Sequence, residues 1–130
     1  MVTAVQASAR AGAVERAAEV FIDWVQEGRG GFHRLPLTIQ EGLRANAATI
    51  GPTSAAPAPL VTCAQLRTLR LPVLILRGEQ TRPWYRLIAE ATAGCIPDSE
   101  TAAIPAAGHM AIVENPSDTA GLVAGFIARH

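Results

Sequence analysis

The sequence predicts an α/β fold, two parallel strands with flanking helices, preceded by an all-helical segment. Three observations carry that prediction. The run Val73–Leu76 is continuously apolar and half β-branched, between Pro72 and Gly78. Such a run suits a strand covered on both faces in a parallel sheet, whereas a half-exposed antiparallel strand would alternate. Residues 60–130 read helix, strand, helix, strand, loop, helix, and strands alternating with helices build a parallel layer. Finally, Gly51–Pro59, GPTSAAPAP, holds three prolines among small residues and reads as a linker. The expected division is a helical segment with linker over 1–58 and an α/β part over 59–130.

Each element has its own signal. From Ala13 to Val25, the residues Val14, Ala17, Ala18, Phe21, Trp24 and Val25 recur at steps of three and four, one apolar stripe on a helix. Gly28, Gly30 and Gly31 end it. A second helix is expected in LTIQEGLRANAAT, opened by Thr38 and Glu41 as a capping box and buried through Leu43, Ala47 and Ile50. After the linker, LVTCAQLRTL reads as a short helix leading into the first strand. Thr81 or Arg82 then starts a helix with Pro83 in its first turn, whose inner positions are Trp84, Leu87, Ile88, Ala91 and Cys95. A shorter strand at Thr101–Ile104 leads to a small-residue loop holding His109. Asn115 as N-cap, with Pro116 behind it, starts a last helix with Leu122, Val123, Phe126 and Ile127 as its stripe.

Composition bounds the function. With 130 residues, 49% of them hydrophobic and 17% charged, the chain can bury a core and is not a disordered segment. Lys plus Arg and Asp plus Glu balance at 11 each, which leaves no electrostatic footprint for nucleic acid or an anionic membrane. No apolar run approaches the roughly 20 residues of a membrane span, and MVTAVQASARAG is no secretory signal. Cys63 and Cys95 lack metal-ligand spacing and are expected as small buried apolar side chains. A soluble, cytoplasmic protein is expected. No glycine-rich phosphate loop, metal cluster or acid dyad appears, so no cofactor and no metal are expected.

The stretch from about residue 66 to 130 resembles the C-terminal end of an α/β-hydrolase. The family pattern there is a Pro-led penultimate strand, a Gly-x-x-Asp turn, a helix, the last strand, a Gly-His loop, Glu-x-Pro and a final helix. It is met by LPVLILRGEQT, PWYRLIAEATAGC, SETAAI and IPAAGHMAIVENP. Residues 10–50 are similar in style to the helical cap that family members insert before the penultimate strand. The resemblance implies that His109 is the general base, which takes the nucleophile's proton and later activates water against a covalent intermediate. Imidazole suits that work because it titrates near neutrality.

Two departures limit the resemblance. At the usual acid position stands Thr81, which cannot hold an imidazolium by charge. Glu79 is a candidate substitute, and in some members the acid follows the preceding strand, which would lie upstream of residue 1. The second departure is the nucleophile. None of Ser8, Ser54, Ser99 and Ser117 has the flanking glycines of a Gly-x-Ser-x-Gly elbow, and Cys63 and Cys95 fail the same test. The family keeps the elbow and the oxyanion loop in its N-terminal half.

The reading is therefore a C-terminal hydrolase half, for a small apolar ester or related carbonyl substrate, inactive alone. The alternatives are a non-catalytic remnant that binds a small ligand or another chain, and one half of a split enzyme. Phe21, Trp24 and Trp84 are candidate substrate contacts. His33 is a loop histidine of the cap, His130 is expected to fray, and Arg77 and Arg82 flank the turn as solvated or anion-binding groups. Glu114 is expected to be structural. Two strands alone make a marginal sheet whose open edge invites the missing half, or a second copy of this chain.

Overall fold

The computed structural model describes residues 2–26, 28, 30–50, 52 and 60–130. The chain forms two compact units, Met1–Pro59 and Leu60–His130.

The first unit is helical. Helix α1 (Val2–Arg10) precedes the expected elements and buries Val5 completely. Gly12, at φ +76°, supplies the left-handed turn that reverses the chain into α2 (Val14–Val25). The buried side chains of α2 are Ala17, Ala18, Ile22 and Val25. Its stripe is thus rotated from the expected one: Phe21 and Trp24 are half-buried and Val14 is exposed.

Asp23 organises the glycine-rich loop after α2. Its carboxylate accepts hydrogen bonds from the backbone N–H groups of Gly30, at 3.1 Å, and Phe32, at 2.9 Å. These bonds fold the loop back and start α3 (Gly31–Arg34), which buries Phe32 under the Arg44 guanidinium. Asp23→Ala is expected to destabilise this unit by about 2 kcal/mol, since bonds to a charged acceptor are worth roughly 1.5–3. Chemical denaturation checks it, with Asp23→Asn recovering part of the loss.

Helix α4 (Leu37–Ala45) has Pro36 as its N-cap, two residues before the expected cap Thr38. Thr38 therefore lies inside the first turn and forms no capping box. The buried position is Gln40, whose Nε2 donates to the carbonyls of Leu35 at 2.8 Å and His33 at 3.4 Å. Ala47 is buried in a 3₁₀ turn over Ala47–Thr49. Except for Pro52, the expected linker 51–59 lies outside the described residues.

The second unit is the α/β part. Helix α5 (Cys63–Leu66) carries the capping box that α4 lacks: Gln65 N–H donates to Thr62 Oγ1, and Thr62 N–H donates to Gln65 Oε1. Strands β1 (Val73–Gly78) and β2 (Ser99–Ile104) run parallel, with Val73 opposite Ser99 and Gly78 opposite Ile104. Helix α6 (Pro83–Ala93) crosses between them. After β2 come a short helix α7 (Ala111–Glu114) and α8 (Pro116–Ile127). Helix α8 is capped by Asn115, whose Oδ1 accepts from the Asp118 N–H.

Three expectations are corrected here. Cys63 and Cys95 are not free apolar fillers: they form a disulfide across 32 residues. The crossover through α6 brings the chain back beside α5, a proximity that spacing alone does not reveal. His130 is not frayed, because its ring and Arg129 both engage Glu100 on β2. The bond from His130, with help from Arg129, holds the Glu100 carboxyl below its ordinary range against partial desolvation. Finally, Val73–Leu76 is only half-buried. The core is small, made of Ile104, Ala107 and Ala111 with Leu76 and Leu122 against it. Leu87, Ile88, Ile112 and Ile127 remain exposed. Among the described residues each strand pairs only with the other, so both outer edges of the sheet are open.

Candidate functional site

The parallel register sets the carboxyl ends of β1 and β2 side by side, with Gly78 opposite Ile104. The loops leaving those ends are bonded to each other. Glu79 N–H donates to the Ile104 carbonyl at 2.9 Å, and Gln80 N–H to the Ala107 carbonyl at 2.8 Å. The contact is closest at Gly78, where a Cβ would stand 1.9 Å from the Gly108 carbonyl oxygen and 2.2 Å from that of Ala107. The loop bearing His109 therefore lies directly on the bare backbone of the β1 terminus.

Two carboxylates grip that loop. Glu79 accepts from the Ala106 N–H at 3.3 Å, and Glu114 accepts from the Gly108 N–H at 2.6 Å. Ala106 sits at φ +52°, a left-handed conformation that costs a residue with a Cβ and is held by its surroundings. Asn115 also ties the loop, by donating to the Pro105 carbonyl at 3.0 Å.

Within this frame His109 stacks on Tyr85, with ring centroids 4.0 Å apart and planes 21° from parallel. Partial burial lowers the His109 pKa, and the negative charge of Glu114 opposes that in part. The neutral imidazole, the form able to accept a proton, is thus favoured. Burial raises the Tyr85 phenol, offset in part by Arg82.

A cavity of about 650 Å³ opens beside the pair, with almost wholly apolar walls. Its lining includes the consecutive residues Ile75, Leu76, Arg77 and Gly78, together with side chains of α6 and α8. Consecutive strand residues face opposite sides of a sheet. The cavity accordingly runs along the open edge of β1 rather than over one face.

The predicted site residues are only partly brought together. His109 lines the cavity, and so does Thr81, whose hydroxyl oxygen is buried with no hydrogen-bond partner. Glu79 follows β1 at the expected turn, but its carboxylate is engaged by Ala106, and no hydrogen bond joins it to His109. Trp84 does not line the cavity: it is 44% exposed and tilts against Tyr85. Phe21 and Trp24 belong to the first unit. Sequence reasoning missed Tyr85, which lies in the first turn of α6, two residues after Pro83.

Other candidates fall outside the site. The Ser99 hydroxyl donates to the Ala93 carbonyl at 3.0 Å, at the start of β2. Ser8 lies in α1 and Ser117 in the first turn of α8, while Ser54 lies outside the described residues. His33 is an exposed residue of α3, edge-on to Phe32. Among the described residues there is no cluster of metal-ligating side chains. No described helix is long and apolar enough to cross a membrane.

Two solved structures share this architecture. MenH from S. aureus is 24% identical, over 98% of this chain and 51% of that one, at a TM-score of 0.63. A Bacillus subtilis protein ascribed to the hydrolases is 23% identical, over 85% of this chain and 41% of that one, at a TM-score of 0.55. No protein-family profile matches the chain, and no curated protein matches its sequence. The fold is α/β-hydrolase-like, and the chain spans about half the length of the structures it matches.

Proposed function

We propose that this chain is the base-bearing C-terminal half of a hydrolase for a small apolar ester or related carbonyl compound, with His109 as general base. The observation that carries this reading is the position of His109. It follows the carboxyl end of the second parallel strand, on a loop seated on Gly78, beside an apolar cavity. In open α/β sheets this end is where ligands and reacting groups collect, and the neutral imidazole suits proton abstraction.

The remaining chemistry must be supplied to it. The nucleophile and the oxyanion donors would come from a segment equivalent to the half of the neighbours that this chain does not span. That segment would pair with the open edge of β1, and a second copy of this chain is the competing occupant. The acid would come with the same segment, or Glu79 would exchange Ala106 for His109. The first unit is proposed as the cap, with Phe21 and Trp24 as substrate contacts and Trp84 as a further one. A second reading, a non-catalytic module that holds a small apolar ligand or another chain, is favoured by the uncharged Thr81 at the acid position. A cytoplasmic location no longer rests on the cysteines, since disulfides persist mainly in oxidising compartments.

The test is hydrolysis of p-nitrophenyl acetate and butyrate. The chain alone is expected to match the buffer rate, with His109→Ala indistinguishable from it. Mixing with an N-terminal hydrolase half that bears a Gly-x-Ser-x-Gly elbow is expected to give turnover that His109→Ala abolishes. Turnover in the mixture that survives His109→Ala would sink the base assignment. Turnover by the chain alone, lost in His109→Ala, would sink the need for a second half.

A further inference from the structure

We propose that Tyr85 is a positioning residue for His109: its stacked ring fixes the plane of an imidazole that, among the described residues, no carboxylate orients. The meaning of this for catalysis rests on His109 being the base, but the geometry does not.

In a nucleophile–histidine–acid triad the acid orients the imidazole through one ring nitrogen. Among the described residues that restraint is absent: Thr81 carries no charge, and the Glu79 and Glu114 carboxylates are bonded to Ala106 and Gly108. A ring stacked at 4.0 Å and 21° restrains the imidazole differently. It covers one face and leaves the ring edge, with both nitrogens, open. Tilting out of plane is blocked, while both nitrogens stay available for a hydroxyl on one side and a carboxylate on the other. The stack is thus compatible with an acid that arrives from outside the chain.

Both partners of the stack are themselves held. Pro83 at the first position of α6 fixes the start of that helix two residues before Tyr85, and Trp84 packs against the phenol ring at 5.1 Å. On the other side, the Gly108 N–H to Glu114 bond anchors the backbone one residue before His109. The imidazole meets the Tyr85 ring from α6 and the charge of Glu114 from α7. Arg77 of β1 lines the same cavity, Arg82 at the N-cap of α6 acts on Tyr85, and Glu79 in the turn after β1 holds the loop at Ala106.

NMR of the whole chain, free of any substrate, tests this through the ring signals of His109. The native resonance is expected to show the displacement of a proton held over an aromatic face, restricted ring motion, and a titration midpoint below that of an ordinary histidine. Tyr85→Phe should keep all three. Tyr85→Leu, which fills similar space without an aromatic face, should lose the ring displacement and free the ring motion. Glu114→Gln should keep the displacement and lower the midpoint further, because a negative charge that favours the imidazolium is removed. Native displacement and order in Tyr85→Leu, or their loss in Tyr85→Phe, would overturn the proposal. If Tyr85→Leu fails to fold, the phenylalanine variant alone decides. Ester hydrolysis plays no part in these spectra, so failure of the hydrolase reading and failure of the stack are separate results.

Discussion

Gly78→Ala is expected to dislodge the His109 loop and to destabilise the second unit by about 3 kcal/mol or more, the upper range for an overpacked site. The added methyl would lie 1.9 Å from the Gly108 carbonyl oxygen and 2.2 Å from that of Ala107. Both are backbone atoms, so no side chain can swing away to make room. Either the end of β1 or the histidine loop must move by more than an ångström. The loop is the softer of the two, since its grip on β1 is a handful of hydrogen bonds, Gln80 to Ala107 and Ala106 to Glu79 among them. The expected result is a lower melting temperature together with loss of the His109–Tyr85 stacking signal. The control is Gly121→Ala in α8, where a Cβ meets nothing within 4 Å. Alanine there replaces glycine inside a helix and should stabilise by about 0.5–1 kcal/mol. An alanine at 78 that melts like the native chain with the stack intact would refute the close approach.

The same glycine shows what the sequence could reveal. Gly78 was legible as the end of a strand, because Val73–Leu76 breaks there, but its packing against a loop thirty residues later was not. Local signals located α2, β1, α6, β2 and α8, each marked by periodicity, a β-branched run or a Pro-started turn. The Asn115–Pro116 cap was readable to the residue, because its chemistry is local. Helix α1 was missed because its alanine-rich turns give a faint stripe. The capping pair Thr38–Glu41 misled because Pro36 starts the helix earlier, while the real capping box at Thr62–Gln65 went unread. At the site, His109 and its loop were legible from motif order. The ring that faces it was not, since Trp84 and Tyr85 are adjacent and only the helix phase selects between them. The expected burial of β1 failed for a different reason. Its apolar pattern fits a sheet with more neighbours than the described residues provide, which accords with the open edge and with exposed Leu87, Ile88 and Ile112.

Reducing the Cys63–Cys95 disulfide is expected to lower the stability of the second unit by about 3–4 kcal/mol, the chain-entropy value for a loop of this length. The loop closed by the bond spans 32 residues and contains β1 and α6. In a unit of this size such a loss is large, because a core below roughly 70–80 residues seldom supplies more than about 3–5 kcal/mol. Here the buried apolar residues are few, Ile96, Ile104, Ala107 and Ala111, and among the described residues the sheet has two strands. The staple thus substitutes for contacts that a wider sheet would make. For a domain this small, about 4–8 °C of melting temperature per kcal/mol turns the loss into a fall of well over 10 °C. Trp84 fluorescence in a Trp24→Phe background reports on the second unit alone. In that background dithiothreitol should shift the transition strongly, and a Cys63→Ser, Cys95→Ser double variant should melt at the reduced temperature with or without it. Equal melting of oxidised and reduced chains would show that the bond contributes nothing. Because Cys95 anchors the far end of the helix whose first turns carry Tyr85, reduction should also weaken the His109 stacking signal before the unit melts, whereas a disulfide that acted only on the unfolded chain would leave that signal at full strength until the transition.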